Sequence, residues 1–194
     1  MTLFKRFSLL FLGLTLITIT GCSKDEPATE ASLLSATASS DVHKAKNVFE
    51  YEVYFGELNN SGVTGMAKLM IDGTQLTVHI MAHGLEANQT HAQHIHGFSD
   101  TNRNATCPDE SADTDMDGIV SLVEGIPFYG GVLISLTDFP MADENGNIDY
   151  MNTFTIPKDA RPLQNNAIVL HGMTIDGEYW GTLPVACGQI MPTK

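Results

Sequence analysis

The strongest constraint on the fold of this chain is a repeated alternation of apolar and polar residues in short runs. From Val48 to Phe55 the residues Phe49, Tyr51, Val53 and Phe55 alternate with Glu50, Glu52 and Tyr54. Successive side chains of a strand point to opposite faces, so this is the pattern of a half-buried strand. Comparable runs follow at Gly65 to Ile71, Gln75 to Ala82, Gly131 to Thr137, Asp149 to Ile156, Ala167 to Met173 and Tyr179 to Ala186. Turn formers separate them: Asp72-Gly73, Glu144-Asn145-Gly146-Asn147 and Asp176-Gly177. No segment beyond the first residues has helical periodicity. The expectation is an all-β domain over residues 42–194, a Greek-key β-barrel or sandwich of about eight antiparallel strands.

Residues 1–21 read as a targeting segment, with Lys5 and Arg6 before an uncharged apolar stretch from Phe7 to Thr20. That stretch is short for a bilayer span and closes on Ile19-Thr20-Gly21-Cys22. The closing sequence resembles the lipobox of bacterial lipoproteins, which implies that Cys22 is lipidated and becomes the mature N-terminus. Residues 22–41, rich in Ser, Thr, Ala and acids, cannot bury enough apolar surface to order themselves and read as a flexible tether. The expected location is the bacterial cell envelope, lipid-anchored in the outer membrane on its periplasmic face or at the cell surface. Lys24-Asp25-Glu26 after the cysteine is similar to a surface-export signal of such lipoproteins. With Cys22 set aside, Cys107 and Cys187 remain as an even pair in an exported domain and are expected to form a disulfide.

Seven histidines are present, and His91, His94 and His96 form an H-x-x-H-x-H pattern. On a strand His94 and His96 share one face and can reach one metal ion, while Ile95 points into the core. His171 lies on an apolar strand opposite in face to Ile168 and Leu170, and is the third candidate ligand. Three imidazoles suit copper or zinc better than calcium or magnesium. His91 reads as a hydrogen-bonding structural residue. His79 and His83 read as surface residues, with His83 as a candidate fourth ligand.

These residues resemble the copper/zinc superoxide dismutases, an eight-stranded Greek-key barrel family. Gly84-Leu85 followed by His91-Ala92-Gln93-His94-Ile95-His96 is similar to the family's copper-binding strand, His171 to its late copper ligand, and Cys107 with Cys187-Gly188 to its intrachain disulfide. The resemblance implies copper at His94, His96 and His171. No histidine lies between His96 and His171, so the family's bridging histidine and its zinc site are missing, and Pro184 stands where the family has an arginine that attracts superoxide. The bacterial CHRD domain offers a related likeness, through Gly65-Met66-Ala67-Lys68-Leu69, Gly84-Leu85 and Gln93-His94-Ile95-His96. It implies a non-catalytic binding or adhesion module. The expected function is a copper-binding dismutase-like domain with at most weak superoxide dismutation, the alternatives being a CHRD-like module or a copper-sequestering protein.

Asp113 to Glu124 reads DTDMDGIVSLVE and meets each key position of a calcium loop. Asp113, Asp115 and Asp117 would offer side chains, Ile119 its carbonyl, Ser121 a direct or water-mediated contact, and Glu124 a bidentate carboxylate. Pro108 before it and Gly125-Ile126-Pro127 after it argue against flanking helices, so the expectation is an isolated calcium loop within a β domain. The formal net charge of −13 disfavours nucleic acid as a partner, leaving the membrane through the lipid and a metal or small ligand.

Overall fold

The computed structural model describes residues 47–100 and 103–193. The expected leader, lipidation site at Cys22, tether and His43 lie outside the described residues. Ten elements organise the rest: β1 (Val48–Glu57), β2 (Thr64–Asp72), β3 (Gln75–His83), β4 (Gln93–Gly97), α1 (Leu122–Tyr129), β5 (Gly131–Ser135), β6 (Ile148–Thr155), β7 (Ala167–Ile175), β8 (Glu178–Gln189) and β9 (Met191–Pro192). The sheet is antiparallel in the order β5-β4-β7-β8-β1-β2-β3-β6, with β9 on β1. β1 curls it, because Val48–Phe55 pair with β2 whereas Gly56 and Glu57 pair with β8. The chain crosses between the two halves after β3, β5 and β6, which gives the Greek-key character, and again after β8 to place β9 on β1.

The curled sheet does not close by backbone pairing, since β5 and β6 are its two ends. Side chains of β6 bridge the opening: Tyr150 Oη donates to the Thr137 carbonyl at 2.8 Å, and Asn152 Nδ2 reaches Asp138 at 3.3 Å. The main core fills the concave side with Val53, Leu69, Ile80, Ile95, Ile168 and Leu170. Alternation predicts these positions correctly, except that Phe49 lies beyond the core and is exposed.

β7 departs from simple alternation, because every residue from Ala167 to Gly172 is buried. A second apolar cluster covers its outer face, where Val169 and Ala167 pack with Leu58, Ala105, Tyr129 and Cys187. The segment between β4 and β5 supplies this cover. It is pinned by the Cys107–Cys187 disulfide and by α1.

The helix corrects the expectation that no helix flanks the acidic loop. Ser121 and Glu124 form a reciprocal capping box at its start, satisfying N–H groups that a short helix otherwise leaves open. Pro127 lies in the last turn and removes only the bond to the Val123 carbonyl. Gly130 ends the helix at φ +83°, and a Cβ there would lie 2.1 Å from the Gly97 carbonyl oxygen, so only glycine lets the helix end meet β4.

The disulfide closes a loop of 80 residues in sequence. The double variant Cys107→Ser/Cys187→Ser is expected to lose about 2–4 kcal/mol of stability in urea denaturation. Unchanged stability would mean that α1 and the second cluster hold the cover without it.

Candidate metal centre

The structure brings His94, His96 and His171 together. One nitrogen of each lies within 4.8 Å of the others. His94 and His96 lie on one face of β4, and His171 projects from the adjacent β7, whose main chain pairs His94 with Val169. Register shifts occur between Ile95 and His96 in the pairing with β5, and on both sides of His171 in the pairing with β8. Such irregularities re-aim side chains, here toward a common point. Gly172, at φ +113° in the irregular stretch of β7 beside His171, leaves room for the Tyr179 hydroxyl where a Cβ would clash.

The hydrogen bonds determine which nitrogens are available. His96 Nδ1 donates to the Gly130 carbonyl at 3.0 Å, and His171 Nδ1 donates to the Thr182 carbonyl at 2.9 Å. A carbonyl only accepts, so each Nδ1 carries the proton and each Nε2 presents a lone pair. Those two Nε2 atoms and His94 Nδ1 are buried without a hydrogen-bond partner. Leaving one such atom buried costs about 1–3 kcal/mol, so three converging orphans fit a ligand set better than a packing accident.

The electrostatics favour neutral rings. Desolvation pushes His171 down to about 3, and the charges of His94 and His96 add to this. Desolvation likewise lowers His96 to about 4, against the raising effect of its Gly130 bond, and desolvation lowers His94. Neutral imidazole is the metal-binding form. His94 alone of the three is only half-buried, so the centre approaches solvent on its side.

Sequence reasoning missed the residues that shape this centre. Tyr129, fully buried, packs edge-on against His96 with centroids 4.7 Å apart, and its hydroxyl donates to the Leu122 carbonyl at 3.2 Å. Phe139 packs against His94 at 5.5 Å. Asn59 ties the acidic segment to β8, with Nδ2 donating to Val120 and Pro184 carbonyls while Oδ1 accepts from Val120 N–H at 2.7 Å. The Ser121-x-x-Glu124 spacing of a capping box is the local signal that could have marked α1.

The other histidines fall elsewhere. His91 is buried, its ring nitrogens each 3.0 Å from a carbonyl, those of His171 and Glu86, which fits a structural tie. His83 is exposed at the end of β3 and does not belong to the group, so it supplies no fourth ligand. His79 bonds Asp149 on the outer face of the sheet. Among the described residues, no carboxylate or cysteine joins the three histidines.

Asp113, Asp115 and Asp117 also come together within 4.8 Å. Asp115 titrates above its usual range: the Asp117 N–H bond pulls it down, but desolvation and the charges of Asp117, Glu124 and Asp113 outweigh that. Glu124 is held at about 2 by donors from Ser121 and Thr114, main chain first. Its two oxygens accept from Thr114 N–H and Oγ1 on one side and from Ser121 N–H and Oγ on the other. It therefore lies across the loop without joining the aspartate group, and bidentate closure on an ion would require it to exchange these bonds. Ile119 is half-buried, and Ser121 is the helix cap.

No protein-family model matches the chain, and no curated protein sequence matches it. Among solved structures, a SOD-like protein from Bacillus subtilis is similar at 15% identity and a TM-score of 0.43, over 73% of this chain and 98% of that one.

The buried rings generate an acid sensitivity whose sign is fixed. In the unfolded chain they titrate near about 6.5, so below that pH the unfolded state binds more protons than the folded state. Stability is fully present above about pH 6.5 and is lost as pH falls toward the folded values of about 4 and about 3. The metal-free protein is expected to melt at a lower temperature at about pH 5.5 than at about pH 7.5, above the range where carboxylates contribute. A flat profile would mean solvated rings.

Proposed function

We propose that this chain is an envelope lipoprotein, anchored through Cys22, whose β domain binds one copper ion with His94, His96 and His171. The observation that carries the reading is the convergence of three buried, unpartnered imidazole nitrogens. Imidazole suits copper, and copper held there would supply one-electron redox chemistry. The chain's own part is to keep the three rings neutral, to fix the His96 and His171 tautomers through the Gly130 and Thr182 carbonyls, and to leave the His94 side toward solvent. Zinc at a second histidine site is not part of the reading, because the sequence supplies no further histidine between His96 and His171.

Copper holding rather than fast superoxide dismutation is the favoured use. Pro184, buried on β8, pairs with His171 in register and puts an uncharged residue where the resemblance to the dismutases would place an attracting arginine. The surrounding body is strongly acidic and repels an anion unless a local positive field overcomes it. Copper is expected to bind at about one equivalent. His94→Ala and His171→Ala are each expected to abolish stoichiometric binding in equilibrium dialysis, with superoxide turnover weak or absent in the parent protein. Copper retained by both variants would refute the site, and rapid copper-dependent turnover would refute the assignment to holding.

We also propose calcium in the Asp113–Glu124 loop. The support is the grouping of three aspartates and the raised Asp115 carboxyl, which a divalent cation would relieve. Because Glu124 also caps α1, Asp115→Asn is the cleaner test. Calcium is expected to raise the melting temperature of the parent and not of this variant. Equal melting of the parent in calcium and in chelator would leave an acidic loop only.

A further inference from the structure

The outer face of the sheet carries a second set of metal-type side chains, independent of the histidine centre. The register of β2, β3 and β6 lays out three consecutive rows: Met66, Met81 and Asp149; Lys68, His79 and Met151; Met70, Thr77 and Thr153. His79 stands at the middle of this grid, with Met151 directly opposite, Met81 next along its own strand, and Met66 and Met70 on the diagonals. Directly opposed side chains on a sheet have Cβ atoms about 4.5–5.5 Å apart, and diagonal neighbours remain within reach of long side chains. Four of the nine methionines of the chain thus occupy positions neighbouring His79 on this face.

Packing does not explain them. The intervening residues Ala67, Leu69, Val78 and Ile80 point the other way and build the core, whereas Met70 and Met151 are 40% and 65% exposed. His79 is prepared in the manner of a ligand. Its Nε2 lies 2.7 Å from Asp149 Oδ1, so in the neutral ring Nε2 donates and Nδ1 presents its lone pair. The grid opens into a surface groove lined by Met70, His79 and Met151, with Glu50 and Glu52 along its rim. Lys68 is the one cation in it, and Glu52 faces Lys68 across the β1–β2 pairing.

Thioether sulfur and imidazole together select soft monovalent ions, and hard cations such as calcium prefer oxygen. We propose that this face binds the reduced copper ion, Cu(I), through the His79 imidazole and two or more of the Met66, Met70, Met81 and Met151 thioethers. The acidic rim offsets the charge that the ion brings.

The test uses the full chain carrying methyl-labelled methionine, titrated with Ag(I) as a redox-inert stand-in for Cu(I). The methyl resonances of Met70, Met151 and their two neighbours are expected to shift together and saturate together. Met116 and Met141, at 86% and 65% exposure elsewhere on the surface, are expected to stay unchanged. The double variant Met70→Leu/Met151→Leu conserves volume and is expected to fold normally. Its Cu(I) affinity, measured by competition with a chromogenic Cu(I) chelator in a His94→Ala background that removes the buried centre, is expected to fall by at least about tenfold. Equal shifts at all exposed methionines, or unchanged affinity in the double variant, would overturn the proposal and leave an apolar contact face.

Discussion

The histidine centre depends on two main-chain carbonyls. Gly130 and Thr182 each accept from an imidazole Nδ1 and so commit the opposite nitrogen of His96 and His171 to the interior. A free ring would turn one nitrogen to water and pair the other wherever it could. Held this way, each ring keeps a buried lone pair that no protein group satisfies, a costly arrangement that requires the surrounding structure to over-determine it. The two carbonyls come from different parts of the chain. Thr182 lies on β8 beside His171, as the sheet dictates, whereas Gly130 is delivered by the end of α1.

That delivery explains why an all-β domain carries this helix. α1 starts at the Ser121–Glu124 capping box, runs eight residues and stops at Gly130 against Gly97 of β4. Its last side chain, Tyr129, packs beside His96, and the carbonyl of the next residue, Gly130, accepts the hydrogen bond from His96 Nδ1–H. The same segment, with the disulfide and Leu58, covers the outer face of β7 at Ala167 and Val169. Asn59 then joins the end of the acidic loop to β8 at Pro184, the residue opposite His171. The acidic loop, the helix and the centre are therefore mechanically continuous, with each link a named bond or ring contact.

The sequence made the sheet legible because strand alternation is a local property. Leu69, Val78 and Ile80 alternate with exposed neighbours, and a period of two suffices to place them inside. The pairing of His94 with His96 was legible for the same reason, and His171 was found through its place on an apolar strand. The cover was not legible, because a single helical turn pair gives too few residues for a period to emerge. Ser121 and Glu124 fit two patterns at once, the end of a calcium loop and a capping box, and the proline three residues on weighed against a helix. Tyr129, Asn59 and Phe139 are contacts between segments distant in sequence, and no local pattern marks such residues. The open seam between β5 and β6 depends on Tyr150 and Asn152 for the same reason.

The charge of the ligand set bears on what such a centre would do with the proposed copper ion. Three neutral imidazoles contribute dipoles and no anion, and no carboxylate joins them among the described residues. The cost of desolvating an ion grows with the square of its charge, so a monovalent ion costs roughly a quarter as much to bury as a divalent one of the same size. Were copper held there as proposed, an all-imidazole, largely dry centre would favour its lower oxidation state relative to water. Catalytic cycling between two states is fastest when neither is strongly preferred, and it needs a supplied proton and an attracted anion besides. Pro184, the register partner of His171, puts no cation at that position, and the acidic body would oppose an anion from a distance. In the proposed site, desolvation and the neutral ligands would favour reduced copper, whereas the negative long-range field by itself favours the more positive ion and would oppose fast turnover only by repelling the anionic substrate.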